Sequence, residues 1–288
     1  MGRMETHPVG VAVPLGPLVT RVLAGNASPY THTGTQTHLV GQSALAVIDP
    51  GPDDAAHLEA LHRAIAGRPV AAILVTHTHR DHSPLAARLR QATGAPVIGC
   101  APLTMADEGP RADAAFDIDY APDRVLADGE RIAGDGWTIE AVATPGHTSN
   151  HLAFALPEAN ALFSGDHVMG WSTSIVSPPD GDMGDYMASL EKLLGREEAV
   201  YYPAHGEVVD NPQRLVRGML GHRKQREGQI VRLLGRGTHA VEGMVEAMYV
   251  GLDARLKPAA ARSVLAHLID LQKRGLAIAG EGGAWHAA

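Results

Sequence analysis

Thr76-His77-Thr78-His79-Arg80-Asp81-His82 follows directly on the apolar run Val70 to Val75, which reads as a buried strand. Six consecutive residues hold three imidazoles and a carboxylate, the densest group of metal donors in the chain. Zinc and similar borderline ions take neutral imidazole nitrogen and carboxylate oxygen, and a catalytic ion keeps one position for water. Four adjacent donors are too many for one such open site. Two ions are therefore expected.

The same pattern recurs downstream. Strand Trp137 to Ala143 ends in Thr144-Pro145-Gly146-His147, Ala161 to Ser164 in Gly165-Asp166-His167, and Ala199 to Tyr202 in Pro203-Ala204-His205-Gly206. Each time an apolar run stops, Gly or Pro tightens the turn, and a His or Asp stands at the strand's carboxyl end. Ligand sites of layered α/β folds collect at such ends. His147, Asp166 and His205 thus join His77, His79, Asp81 and His82 as candidate ligands. His151 and His167 read as core histidines or as supports for the ligands, and His32, His38, His57, His62, His222, His239, His267 and His286 are assigned no chemistry.

Upstream, Leu18 to Leu23, Gln36 to Val40 and Ala44 to Ile48 read as strands, the last closed by Asp49-Pro50-Gly51. Asp49 reads equally well as a turn former or as a group that orients a ligand. Asp53 to Ala66 has helical spacing, and Ser83-Pro84 is expected to open a second helix with Ser as cap and Pro in the first turn. Pro96 to Gly99 reads as a strand, and Ala101 to Asp119 as a helix followed by a loop. The βαβα order makes the first half an α/β arrangement.

At 288 residues, 45% apolar and 19% charged, the chain suits a globular fold with one large core, or a core and a small second domain. A single cysteine, Cys100, allows no internal disulfide and fits a reducing compartment. The apolar stretch Val9 to Leu23 is punctuated by proline and falls short of the ~20 residues of a membrane span. No membrane association is expected, and the sequence reads as cytoplasmic. Residues 1–209 hold 12 Lys+Arg against 25 Asp+Glu, and residues 210–288 hold 12 against 7, so a body of −13 carries a tail of +5. Such a tail suits a nucleic-acid or partner surface, or a solvated helical face.

Taken together, His77-Thr78-His79-Arg80-Asp81-His82, Pro145-Gly146-His147-Thr148, Ser164-Gly165-Asp166-His167 and Pro203-Ala204-His205-Gly206 resemble the metallo-β-lactamase superfamily. The resemblance implies an α/β fold, the αββα sandwich, over residues 1–209. It also implies His77, His79 and His147 on one ion, Asp81, His82 and His205 on the other, and Asp166 bridging. Phe163 to Gly170, Asp185 to Leu190 and the C-terminal region resemble more narrowly a subgroup with a winged-helix-like C-terminal domain, which includes a mitochondrial endoribonuclease and fungal polyketide thioesterases. The tail, residues 210–288, fits that implication on its own pattern: helices over Asn211 to Leu234, Val241 to Tyr249 and Pro258 to Arg274, then a hairpin from Leu276-Ala277-Ile278 to Ala284-Trp285-His286. Packing against the catalytic domain is the role favoured for it.

The expected activity is hydrolysis by a metal-bound hydroxide, with two divalent ions, zinc foremost, and Asp81 orienting the nucleophile and relaying its proton, a ligand role alone being equally compatible with its spacing. A small thioester or ester is the favoured substrate, with RNA as the alternative, an iron-dependent oxidoreductase less favoured, and the stretch Trp171 to Pro179 expected as an apolar lip. Antibiotic hydrolysis is not expected, because β-lactamases of this family usually carry Cys where Asp166 stands. The sequence leaves the oligomeric state open.

Overall fold

Alternation along the strands sorts side chains between two cores, and a computed structural model of residues 8–103 and 116–288 shows how. The first sheet runs in order through β1 (Ala12–Pro14), β2 (Val19–Leu23), β3 (Gln36–Val40), β4 (Leu45–Ile48), β5 (Val70–Val75), β6 (Val97–Gly99) and β7 (Arg124–Val125). Pairing is antiparallel from β1 to β4 and parallel from β4 to β7. Parallel neighbours need a long crossover, and α1 (Ala55–Ile65) and α2 (Leu85–Thr93) supply two. The second sheet takes up β8 (Arg131–Gly134), β9 (Trp137–Ala143), β10 (Leu152–Leu156), β11 (Ala161–Gly165) and β12 (Val200–Pro203), in reverse order from β12 to β8. Its one parallel pair, β11 with β12, is bridged by α3 (Met183–Leu194).

In β10, Leu152, Phe154 and Leu156 join the core that also holds Leu61 of α1, Leu85 of α2 and Ile73 of β5. Ala153 and Ala155 face the opposite way, towards Tyr186, Leu190 and Leu193 of α3. This period of two places the two sheets face to face and a helical layer on each outer face, the expected αββα order. Asp54 caps α1 by accepting a hydrogen bond from the Ala56 amide at 2.8 Å. α2 departs from expectation: it starts after Pro84 with no side-chain cap, because the Ser83 hydroxyl donates to Asp117 Oδ2 at 2.7 Å instead. Most of the helix expected after Ala101 lies outside the described residues.

The tail forms α4 (Pro212–Leu234), α5 (Val241–Met248), α6 (Lys257–Lys273) and a hairpin of β13 (Ala277–Ala279) with β14 (Trp285–Ala287). α4 belongs to two cores. Val216, Met219 and Leu220 pack with α3, while Ile230 and Leu234 pack with Val264, Leu268, Leu271 and Trp285. Among the described residues no helix is long and apolar enough to cross a membrane.

Candidate metal centre

All seven candidate ligands meet at one edge of the sandwich. β5 delivers His77, His79, Asp81 and His82, and the ends of β9, β11 and β12 deliver His147, Asp166 and His205. The donors fall into two groups, His77, His79, His147 and Asp166 in one, Asp81, His82 and His205 in the other. His79 Nδ1 lies 3.0 Å from His77 Nε2 and 3.1 Å from His147 Nε2. Asp166 divides its oxygens between the groups. Oδ2 is 3.6 Å from His147 Nε2 and 4.0 Å from His77 Nε2, and Oδ1 is 3.3 Å from His205 Nε2 and 3.6 Å from His82 Nε2. Asp81 Oδ2 completes the second group, 3.3 Å from His82 Nε2 and 3.2 Å from His205 Nε2.

The far side of each ring sets which nitrogen faces inward. Thr76 Oγ1 donates to Asp49 Oδ2 at 2.8 Å, so its contact with His77 Nδ1 at 3.0 Å is received from the ring. His82 Nδ1 donates to Asp49 Oδ2 at 2.9 Å, His205 Nδ1 to the Gly34 carbonyl at 3.1 Å, and His147 Nδ1 to the Ile175 carbonyl at 2.6 Å. With Nδ1 donating outward in all four, Nε2 is the nitrogen that faces the centre and the one a cation would take in place of a proton. Fixing the tautomer this way is what a metal-binding imidazole requires. Asp49 is therefore more than a turn former: it also accepts the Thr76 amide at 2.8 Å and holds the start of the ligand loop. Thr35 Oγ1 donates to Asp81 Oδ2 at 3.0 Å, and His151 Nε2 accepts the Asp166 amide at 3.1 Å.

Electrostatics separates the two groups. Burial, reinforced by the neighbouring His82 and His79, holds His77 neutral, and burial with His147 beside it lowers His79 to about 3. In the second group burial opposes charge on His205, yet Asp166 and Asp81 overcome it and raise the ring to about 10. His82 is raised by Asp81, Asp166 and Asp49 against the same penalty. Burial alone would raise Asp166, but His205 and His82 keep its carboxyl well below the usual range. The two carboxylates thus draw positive charge into the second group, and a divalent cation answers that demand more fully than protons. His82 Nε2 and Asp166 Oδ1 are buried with no hydrogen-bond partner, a costly state that a coordinated cation relieves. The donor set fits two ions.

A cavity of about 40 Å³ opens onto both groups, walled by Tyr30, Thr31, Met169 and Ile175. Of the expected lip only Ile175 reaches it. Trp171 instead stacks on His32, with ring centroids 4.7 Å apart. Tyr30 and Thr31, on the loop between β2 and β3, carried no pattern in the sequence that marked them.

The basic tail points elsewhere. Arg223 is buried, donates to the Ser174 carbonyl and, at 3.2 Å, to Ser263 Oγ, and lies 5.2 Å over the Tyr186 ring. The next carbonyl along, that of Ile175, is the one that receives His147 Nδ1. Lys224 pairs with Glu191 at 3.3 Å, and Arg226 lies 4.4 Å over the Tyr249 ring. Among the described residues lining the cavity there is no Lys or Arg.

Comparison with known proteins fits this geometry. Residues 31–205 match the model of the metallo-beta-lactamase superfamily, and residues 241–285 that of the beta-lactamase associated winged helix domain. An atrochrysone carboxyl ACP thioesterase of Paecilomyces divaricatus is 35% identical over 77% of this chain, which spans 66% of that protein's length. A beta-lactamase-like protein 2 homolog of Drosophila melanogaster is 33% identical over 89% of this chain and 88% of its own. A crystal structure of a beta-lactamase domain protein from Burkholderia ambifaria superimposes with a TM-score of 0.77 at 21% identity, over 99% of this chain and 96% of that one.

Proposed function

Because this chain belongs to the metallo-beta-lactamase superfamily and carries the associated winged helix domain, we propose that it is a dinuclear metal hydrolase of a small thioester or ester. The observation that carries the reading is Asp166, which turns one oxygen to each of two imidazole groups. His77, His79 and His147 would hold one ion, Asp81, His82 and His205 the other, with Asp166 placed to serve both. Zinc is the first candidate, although imidazole and carboxylate also suit iron.

When bound, two such ions lower the pKa of a coordinated water towards ~7 and polarise the carbonyl under attack. This chain's own part is to orient and to move protons. Asp81, steadied by the Thr35 hydroxyl, orients the water and takes its proton on a carboxylate oxygen. Tyr30, Thr31 and Ile175 wall the small cavity and limit bulk water around the reacting carbonyl.

Two observations favour an acyl substrate over RNA. Similar proteins include fungal thioesterases, and Arg223, Lys224 and Arg226 are engaged away from the cavity. Phosphate contacts dominate nucleic-acid affinity and need free cations beside the scissile bond. Metal analysis with steady-state kinetics tests the reading. Two ions per chain and metal-dependent turnover of acyl thioesters are expected. Cleavage of single-stranded RNA with steep salt dependence, and none of acyl thioesters or lactones, overturns the substrate.

A further inference from the structure

The cavity at the metal centre, about 40 Å³, has room for a reacting carbonyl and a water or two. The remainder of any acyl substrate has to lie outside it. A second cavity, about 320 Å³, shares Met169 with the first and runs away from it between the segment 169–173 and α4. That is the lower end of the size range of small-molecule sites.

The groove's two walls are built for apolar contact. Leu215, Gly218, Met219 and His222 recur at one, three and four residues along α4 and so share a face of that helix. Opposite them stand Met169 and Trp171, whose indole is 38% exposed and held upright by its stack on His32. Apolar side chains make up more of this lining than the hydroxyls of Ser172 and Thr173, and the groove adjoins the cavity at the candidate metal centre through Met169. The lining offers no Lys or Arg among the described residues, so it suits an uncharged chain and not a phosphate-bearing carrier arm. His222 is held towards its neutral form by burial and by Arg223 and Arg226 beside it, which keeps the floor uncharged as well. Gly218 leaves the floor open, because an added Cβ there would meet nothing within 4 Å.

We propose that this groove is the acyl-chain subsite: the carbonyl enters the metal cavity past Met169, and the apolar chain lies along α4 between Trp171 and the Leu215–Met219 face. The inference rests on the thioester or ester reading above and adds to it a role for α4 in choosing the substrate.

Gly218→Leu tests it. The substitution fills the groove from a helical position with free space around it and should raise helix propensity, so folding is retained. Acyl N-acetylcysteamine thioesters from acetyl to decanoyl supply the kinetic probe. The ratio of kcat/KM for decanoyl over acetyl should fall at least tenfold in Gly218→Leu, and Trp171→Ala should lower it in the same direction. An unchanged ratio in both variants overturns the subsite. A second arm does not depend on turnover: calorimetric titration with the non-hydrolysable decyl thioether of N-acetylcysteamine should show binding to the wild-type protein, weakened at least tenfold in Gly218→Leu. If no thioester or ester is turned over but the thioether binds in this way, the hydrolase reading fails and the groove stands. If thioesters are turned over but the thioether binds both proteins equally, the groove fails and the hydrolase reading stands.

Discussion

The two halves of the candidate metal centre are held by different parts of the molecule. Asp81, His82 and His205 are backed wholly from the first sheet and its loops, through Thr35, Asp49 and the Gly34 carbonyl. His147 in the other half is backed by the Ile175 carbonyl, on a loop whose neighbouring carbonyl is pinned by Arg223 of α4. One half therefore depends on the sandwich alone, and the other reaches α4 of the tail. The lesson is that the tail bears on this site by bracing the loop that holds the His147 ring, while Arg223, Lys224 and Arg226 are turned away from the cavity.

Substitution at the point where the halves meet should have the largest effect. Asp166→Ala removes an oxygen from each group, and is expected to lower bound metal to one ion or fewer and turnover by at least about a thousandfold, read by metal analysis and kinetics. Two retained ions with full activity would remove Asp166 from the centre. Next comes a fragment ending at Asp210. It loses Arg223 together with the cover that Val216, Met219 and Leu220 place over Tyr186, Leu190 and Leu193, so it should aggregate in size-exclusion chromatography. A monodisperse, fully active fragment would break the dependence of the first half on the tail.

Two smaller changes separate the halves. Asp49→Ala takes away the acceptor of His82 Nδ1 and that of the Thr76 hydroxyl behind His77, and the expected loss of metal affinity is about 10- to 100-fold in the second half, where the contact is direct, with a smaller loss in the first. Arg223→Met leaves the Ser174 carbonyl without its donor and should weaken the first half alone, by less than about tenfold, with a cost of about 1–3 kcal/mol in stability. Spectra of the cobalt-substituted protein distinguish the two, and identical changes in both variants would erase the comparison.

The smallest effect is on stability against pH. Burial, then Arg223, lowers His267 of α6 to about 3, so the folded protein keeps this ring neutral while an unfolded chain protonates it below about 6.5. Its contribution is complete above that value and is lost as pH falls from about 6.5 towards 3, by about 1.4 kcal/mol at pH 5.5. Denaturant titrations of His267→Gln should show a shallower loss over this window than the wild type. Equal slopes would place the acid sensitivity elsewhere.

The seven residues that meet at this site were legible in the sequence because four of them follow closely on the apolar run Val70–Val75, while His147, Asp166 and His205 each stand at the end of another run beside Gly, a local pattern that period and turn chemistry express directly. The same holds for β3, β5 and β9, whose observed limits are the expected Gln36–Val40, Val70–Val75 and Trp137–Ala143. β10 was missed, since Leu152 to Leu156 is an unbroken apolar run with no alternation, and pairing with β9 and β11 is what makes it a strand. Ser83 was misjudged for a related reason: its hydroxyl had both a helix end and Asp117 within reach, and only the folded chain brings Asp117 there.

By itself the sequence picked out the seven residues that the fold brings together, and that they come at strand ends. Only the tertiary structure decided how they are held and what lies beside them. His205 is backed by a carbonyl 171 positions away, Arg223 reaches a loop 49 positions before it, and Tyr30 and Thr31 wall a cavity whose other members come from four strand ends. Contacts of that span carry no local period, because they follow from how two sheets and a helix pack, and packing is a property of the whole core rather than of any one stretch.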